Sequence, residues 1–222
     1  MARPTDNNIA YLQIFLLGWF EKNGRKFPWR NPSATNYEKI ISEVLLQRTK
    51  AETVAKFFPD FIKEYPSWYK LGDASEQELQ DILKPIGLYK QRGARLFNLA
   101  QELKKRNGIF PKERNQVEEI PMMGQYLTNA YELFILKRPS PLLDVNMARV
   151  IERYFGPRKM ADIRYDPYLQ NLSRKLVDNP KTKEINWAVL DYSALICKAK
   201  MPLCYDCELN AKCSFCRDQF NS

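Results

Sequence analysis

Apolar residues recur at three- and four-residue spacing along almost the whole chain, and this period constrains the fold more than any other feature. Ser75 and Glu78 stand at the spacing of a capping box, which predicts that a helix begins there. No stretch shows the two-residue alternation of a strand. Helices are predicted at 9–20, 40–45 behind Asn36, 54–62, from Ser75, 90–106, 127–136, 147–154, 168–177 and 185–197. The sequence therefore predicts an all-α fold.

The charge balance favours a polyanionic partner. The 222 residues include 35 Lys and Arg against 26 Asp and Glu, a formal net charge of +9. Nucleic acid is the first candidate, although a basic but otherwise ordinary soluble protein has the same composition. The chain contains no histidine, so no imidazole serves as a base or metal ligand. Neither a signal peptide nor a membrane span is expected from the apolar runs.

Five cysteines all lie between Cys197 and Cys216. This clustering does not suit a disulfide framework for a domain of this size and favours a metal site in a reduced, cytosolic compartment. Four of the cysteines, at C-x6-C-x2-C-x5-C spacing, are compact enough to bind one centre: Cys197, Cys204, Cys207 and Cys213. By chemistry alone, iron–sulfur and zinc are equal candidates. Cys216 lies outside the spacing.

The cysteine spacing, at the C-terminal end of an all-helical chain, resembles the [4Fe-4S] loop of the endonuclease III and MutY glycosylases. The resemblance implies a [4Fe-4S] cluster on these four cysteines and a monomer of two helical lobes. One lobe is a helical barrel at 34–142, with a helix-hairpin-helix near 113–137. The other combines 1–33 with 143–222 and carries the cluster loop, 197–213. It also implies binding to double-stranded DNA that contains a mismatched or damaged base, in the cytoplasm at the nucleoid.

The segment from Ile120 to Tyr126 resembles the hairpin of this family. The resemblance implies that the hairpin, through Met123, Gly124 and Gln125, contacts a DNA phosphate, because the start of a helix presents N–H groups to anions. The family usually has glycine where this chain has Met122. A side chain there is expected to alter the turn or to limit the approach of the phosphate.

Three further segments resemble parts of the family that carry its catalytic residues. Leu143 to Asn146 resembles the segment of the catalytic aspartate, and Phe27 to Arg30 with Ser42 to Thr49 resembles MutY-type and thymine-mismatch enzymes. The resemblance implies that Asp144 stabilises the oxocarbenium-like sugar and orients water. Glu43, with its pKa raised by burial, would protonate or hydrogen-bond the departing base.

Tyr126 is the third expected catalytic residue and would help to hold the extruded base. Bifunctional relatives carry at this position a lysine that forms a Schiff base with the sugar. Tyrosine forms no imine, so the resemblance implies hydrolysis with weak or no abasic-site lyase activity.

Ile86 to Tyr89 resembles the loop that fills the space left by a flipped nucleotide. Leu88 is the expected wedge, beside Tyr89, with ordinary core packing as its alternative. Gln47 and Arg48 are expected near the orphaned partner base, where arginine donates well to guanine. Phosphate contacts are expected from Lys90, Arg92, Arg95, Lys198 and Lys200.

The resemblance predicts a monofunctional DNA glycosylase that removes thymine or uracil mispaired with guanine. Adenine opposite guanine or 8-oxoguanine is the alternative, as in MutY enzymes. The pyrimidine reading is favoured because the chain stops shortly after Cys213, without the extra MutY domain, and because Asp191 to Cys197 resembles the short enzymes. A protein that only binds DNA, or a zinc-containing helical transcription factor, remains a competing hypothesis.

Overall fold

The computed structural model describes residues 5–220, and within them the chain forms twelve α-helices and no strand. The predicted all-α class is confirmed. The helices are α1 (Asp6–Asn23), α2 (Asn36–Leu46), α3 (Ala51–Glu64), α4 (Trp68–Leu71), α5 (Glu76–Leu83), α6 (Tyr89–Lys105), α7 (Arg114–Glu118), α8 (Gln125–Phe134), α9 (Val145–Phe155), α10 (Pro167–Val177), α11 (Thr182–Leu195) and α12 (Ser214–Phe220). None of the described helices is both long and apolar enough to cross a membrane.

Side-chain caps determine where several helices begin. The predicted capping box at α5 is present: Ser75 accepts from the Glu78 N–H, and Glu78 Oε2 accepts from the Ser75 N–H at 2.7 Å. A second box, Thr35 with Glu38, starts α2. The same four-residue spacing stands in the sequence at this helix. Such caps pair N–H groups that the first helical turn leaves unbonded.

The chain divides into two compact units, of which one is Lys26–Leu136. Its core is formed by apolar side chains of α2, α3, α5, α6 and α8, among them Ile41, Phe61 and Leu96, each fully buried. Residues 26–33, expected in the other lobe, lie here. The reason is Trp29, which is 4% exposed, stacks on Phe27 and packs edge-on against Phe58 with 5.4 Å between ring centroids.

The other unit comprises the described residues of Met1–Arg25 and Lys137–Ser222. Its core is formed mainly by α1, α9, α10 and α11, with Leu12, Leu16 and Ile151 fully buried. Residues 137–142, expected in the first lobe, belong here because the Asn186 Oδ1 accepts the Leu142 N–H at 2.7 Å.

Candidate active site

Glu43 and Tyr126, separated by 83 residues in sequence, meet in the Lys26–Leu136 unit. Glu43 lies on α2 among apolar side chains and is 3% exposed. The Tyr126 hydroxyl, on the first turn of α8, donates to Glu43 Oε2 at 2.8 Å. A buried carboxylate is stable only when donors surround it, so this hydroxyl contributes to holding Glu43 inside the fold.

Asp144 lies in the other unit, where its side chain caps the N-terminus of α9. Oδ1 accepts the N–H groups of Asn146 at 2.9 Å and Met147 at 2.8 Å, and Oδ2 accepts from Asn146 Nδ2 at 2.6 Å. Burial raises the pKa of Asp144, while these three hydrogen bonds and the Arg149 charge oppose that rise. The result is a carboxyl group of fixed orientation beside an exposed residue, Val145.

A hydrogen-bond chain links Asp144 to the first cysteine of the cluster motif. Asn146, which donates to Asp144, accepts from both Nη atoms of Arg149 at 3.1 Å. Arg149 Nε donates to the Cys197 carbonyl at 2.9 Å, and Nη2 donates to the Ser193 carbonyl at 3.1 Å. The sequence analysis missed Asn146 and Arg149. Their positions on the helix that Asp144 caps were the available signal.

All five cysteines are free thiols that pack against the core of this second unit. Tyr192 Oη lies 2.9 Å from Cys207 Sγ, and Arg153 Nη1 donates to Cys197 Sγ at 3.5 Å. Burial raises the pKa of both Cys197 and Cys207, and the nearby Cys213 adds to each rise. The thiols of the motif are therefore close enough to influence one another. Among the side chains that the structure describes, those of residues 5–217, no three His, Cys, Asp or Glu groups converge as a metal site.

Leu88 is 46% exposed at the start of α6, and this exposure is incompatible with the alternative of ordinary core packing. Its φ is 53°, in the left-handed region, and it follows Gly87 at 73°. Arg48, also exposed, has a φ of 58° and follows Gln47 at the end of α2. A non-glycine residue with left-handed backbone is strained, and such strain is often found at functional positions.

One expected phosphate contact is wrong. Arg92 is 5% exposed, and its guanidinium is occupied by acceptors within the unit. It is thus unavailable to DNA phosphates. The other four residues of that set, Lys90, Arg95, Lys198 and Lys200, are exposed.

The phosphate contact expected of Met123, in the hairpin turn before α8, is also wrong. Met123 is 1% exposed, and its N–H donates to the Ile120 carbonyl at 3.0 Å, so neither its side chain nor its amide is available to a phosphate. Met122 has a φ of 71°, the left-handed geometry that glycine adopts at no steric cost. Gly124 follows, and a Cβ built on it would meet no atom within 4 Å. Open space therefore lies in front of the first turn of α8.

Residues 41–175 match a known protein family, which is described as HhH-GPD superfamily base excision DNA repair protein. The chain belongs to this superfamily. The matched range contains Glu43, Leu88, the hairpin, Tyr126 and Asp144. The family expected from the motifs is thereby confirmed.

The thymine- and thymine/uracil-DNA glycosylases similar to this HhH-GPD chain are matched along nearly all of their length. It is 33% identical to the thymine-DNA glycosylase of Aeropyrum pernix, over 93% of this chain and 95% of that protein. It is 36% identical to the thymine/uracil-DNA glycosylase of Pyrobaculum aerophilum, over 90% of this chain and 89% of that protein. A solved thermostable thymine-DNA glycosylase superposes with a TM-score of 0.87 at 28% identity, covering 96% of this chain and 98% of that one.

Proposed function

We propose that this HhH-GPD protein is a monofunctional DNA glycosylase that hydrolyses the N-glycosidic bond of thymine or uracil mispaired with guanine. Asp144 is the observation that carries the proposal. Three N–H groups hold its carboxyl at a helix N-terminus, where a negative charge is favoured. A fixed anion of this kind is what a reaction that builds positive charge on a sugar requires.

The reaction also builds negative charge on the departing base, which a hydrogen-bond donor or acid stabilises. In this proposal Glu43 hydrogen-bonds or protonates that base, and Tyr126, bonded to Glu43 at 2.8 Å, helps to hold it. Asp144 orients the attacking water. Because position 126 carries no amine, no Schiff base forms there, and the product is an intact strand with an abasic site.

DNA binding follows from charge and loop geometry. The net charge of +9 attracts the phosphate backbone. Gln125, the first residue of α8, is proposed to receive one phosphate at the open space beside Gly124, whose own N–H already donates to the Met122 carbonyl at 2.9 Å. Leu88 and Tyr89 occupy the stack vacated by the flipped nucleotide, and Gln47 and Arg48 contact the orphaned guanine.

The relatives support thymine or uracil over adenine. The three thymine- or thymine/uracil-DNA glycosylases are 30–36% identical to this chain and are matched over 89–95% of their length. The adenine DNA glycosylases, such as that of Buchnera aphidicola, are 24–31% identical and are matched over 37–64% of their length.

The cofactor proposed for the cysteine motif is a [4Fe-4S] cluster held by Cys197, Cys204, Cys207 and Cys213. The surroundings fit such a group, since the Tyr154 hydroxyl is buried without a hydrogen-bond partner among the described residues. Burial raises the pKa of Tyr154 to about 12, with smaller contributions from Tyr11 and Cys213. An unpaired O–H donor near Cys213 suits a bound group that brings its own sulfide acceptors. When bound, the cluster cross-links the loop through its iron–thiolate bonds.

Base release from duplexes is the deciding experiment. Duplexes containing T·G, U·G, A·G or A opposite 8-oxoguanine are incubated with the purified protein, and strand breaks are scored with and without hot alkali. We expect cleavage of T·G and U·G only after alkali. Adenine release would move the protein to the MutY type. Release from none of the four, with mismatch binding intact, would favour a protein that only binds DNA.

The variant Asp144→Asn tests the central residue. It keeps the side-chain shape and an acceptor for the backbone N–H groups, but it removes the negative charge. Base release should fall at least about 100-fold while mismatch affinity is retained. An unchanged rate would exclude the role proposed for Asp144.

A further inference from the structure

Arg92 is a buried arginine without an acidic partner. It is 5% exposed, and no carboxylate pairs with it among the described residues. Burial lowers the pKa of Arg92, because a charged group is disfavoured away from water. It also lies in the first turn of α6, where the helix dipole disfavours a cation. An arginine in this position is therefore expensive to keep, so packing alone does not account for it.

The guanidinium of Arg92 bridges two loops that are about forty residues apart in sequence. Nη1 donates to the Ile86 carbonyl at 3.2 Å and to the Gly87 carbonyl at 2.8 Å. Nη2 donates to the Gln47 carbonyl at 2.8 Å and to Thr49 Oγ1 at 2.7 Å. Thr49 Oγ1 in turn donates to the Ile86 carbonyl at 3.4 Å, so the two loops are tied twice.

Each of the two loops presents one exposed residue with strained backbone. Leu88 follows the carbonyls of Ile86 and Gly87, and Arg48 lies between Gln47 and Thr49. Their φ angles are 53° and 58°, both left-handed. A bulky residue stays in that region only when its surroundings hold it there. The bonds from Arg92 to the neighbouring backbone groups supply that restraint in both loops.

We propose that Arg92 is a positioning residue that locks the 47–49 and 86–88 loops together, so that Leu88 and Arg48 enter a DNA duplex as one rigid unit. The inference rests on the proposed function, which supplies the duplex. Leu88 is an exposed apolar side chain of the kind that wedges between base steps. Arg48 offers donors to the base left without its partner.

The planar guanidinium explains why the residue is arginine. Its fixed fork of N–H groups donates to carbonyls on two sides at once, whereas a lysine ammonium is a point charge with three donors. Without the fork, the longer hydrogen bond from Thr49 Oγ1 to the Ile86 carbonyl would be left to join the two loops, and they would move more freely relative to each other. Leu88 would then reach the stack without Arg48 at the opposite base, and extrusion of the target nucleotide would lose part of its driving force.

The test is fluorescence of 2-aminopurine placed next to the mispaired thymine of a T·G duplex, measured at saturating protein. Insertion of a wedge unstacks the probe and raises its emission. We expect a rise with the wild type and loss of most of it with Leu88→Ala, Arg92→Met and Arg92→Lys. Single-turnover base release by the two Arg92 variants should fall about 10- to 100-fold, as a small misplacement of a positioning element produces.

Arg106→Met is the matched control, since Arg106 is an exposed arginine at the C-terminal end of the same helix, where it pairs with Glu102. It should keep the fluorescence rise, which separates loss of geometry from loss of charge. If Arg92→Met fails to fold by circular dichroism, Arg92→Lys keeps the buried cation and carries the test alone.

Several outcomes would overturn the inference. These are a full fluorescence rise with Arg92→Lys, an equal loss with Arg106→Met, or no rise with bound wild-type protein. Failure of the proposed function is recognised separately, because it abolishes base release by the wild type while leaving the fluorescence pattern measurable.

Discussion

Asn146 Nδ2 donates to Asp144 Oδ2 at 2.6 Å and is, among the described residues, the one side-chain donor to a carboxyl that also accepts two backbone N–H groups. It stabilises the ionised form of Asp144, against the burial that disfavours it. Asn146 is itself held by Arg149. The Asn146 amide is therefore one of the groups that favour the charged form of Asp144, together with the Met147 N–H and the Arg149 charge.

Replacing Asn146 by Ala should raise the pKa of Asp144 further. Base release needs the carboxylate, so its rate falls as pH drops through that pKa, and the acid limb of the rate profile should move to higher pH. The loss of one hydrogen bond to a charged group corresponds to about one pH unit. Single-turnover rates across pH for wild type and variant measure the shift. An acid limb at the wild-type position would contradict the assignment.

Met122→Gly should make the protein more stable than Met122→Ala. Both variants remove the half-buried Met122 side chain, but glycine adopts a φ of 71° without steric crowding because it has no Cβ, whereas alanine does not. The expected difference in the free energy of unfolding is about 1 kcal/mol in favour of glycine. Urea denaturation of the two variants measures it. Equal stabilities would show that the turn relaxes away from the left-handed geometry.

Much of the fold was predictable, because apolar spacing and caps are local signals. The capping box at Ser75 and the apolar faces of α1 and α9 are examples. The tertiary contacts that fix the positions of polar groups were not predictable from the sequence. Met123 looked like part of a phosphate-binding turn, yet the left-handed backbone of Met122 precedes a side chain that points into the core.

The contacts of Arg92 could not be predicted from the sequence either. An arginine in a basic helix is usually solvated, so the sequence suggested a phosphate contact. Its acceptors are backbone carbonyls of two loops that only tertiary folding brings together. Backbone carbonyls belong to every residue, so no residue pattern marks them. The contact between Arg149 and the Cys197 carbonyl was hidden for the same reason.

Cys213 and Cys216 provide a test of which thiols bind the proposed cluster. Both are buried, at 8% and 3% exposure, so their replacement by Ala perturbs packing to a similar degree. Cys213→Ala should lose iron and acid-labile sulfide together with the brown colour, whereas Cys216→Ala should keep them. Iron and sulfide content per chain measure this. Loss of iron in Cys216→Ala would assign that thiol to the cluster. A colourless wild-type protein that contains zinc would show that the cysteines bind zinc and no iron–sulfur cluster.

The hydrogen bond between Tyr126 and Glu43 can be tested by replacing each residue in turn. Tyr126→Phe removes one donor from a buried carboxylate, so the free energy of unfolding should fall by about 1–2 kcal/mol. Glu43→Gln keeps an acceptor for the tyrosine hydroxyl but removes the acid, and base release should slow about 100-fold or more. Thermal or urea denaturation and single-turnover rates give the two quantities.

The base-release rate of a double variant tests more directly whether Tyr126 and Glu43 act together. If Tyr126 acts through Glu43, the double variant Tyr126→Phe with Glu43→Gln should release base little more slowly than Glu43→Gln alone, because residues in contact are not additive. Tyr131→Phe is the matched control: it removes a hydroxyl on the same helix that donates to the Pro111 carbonyl at 3.1 Å, and it should leave the rate unchanged. Additive losses in the double variant would mean that the hydroxyl and the carboxylate serve the departing base independently.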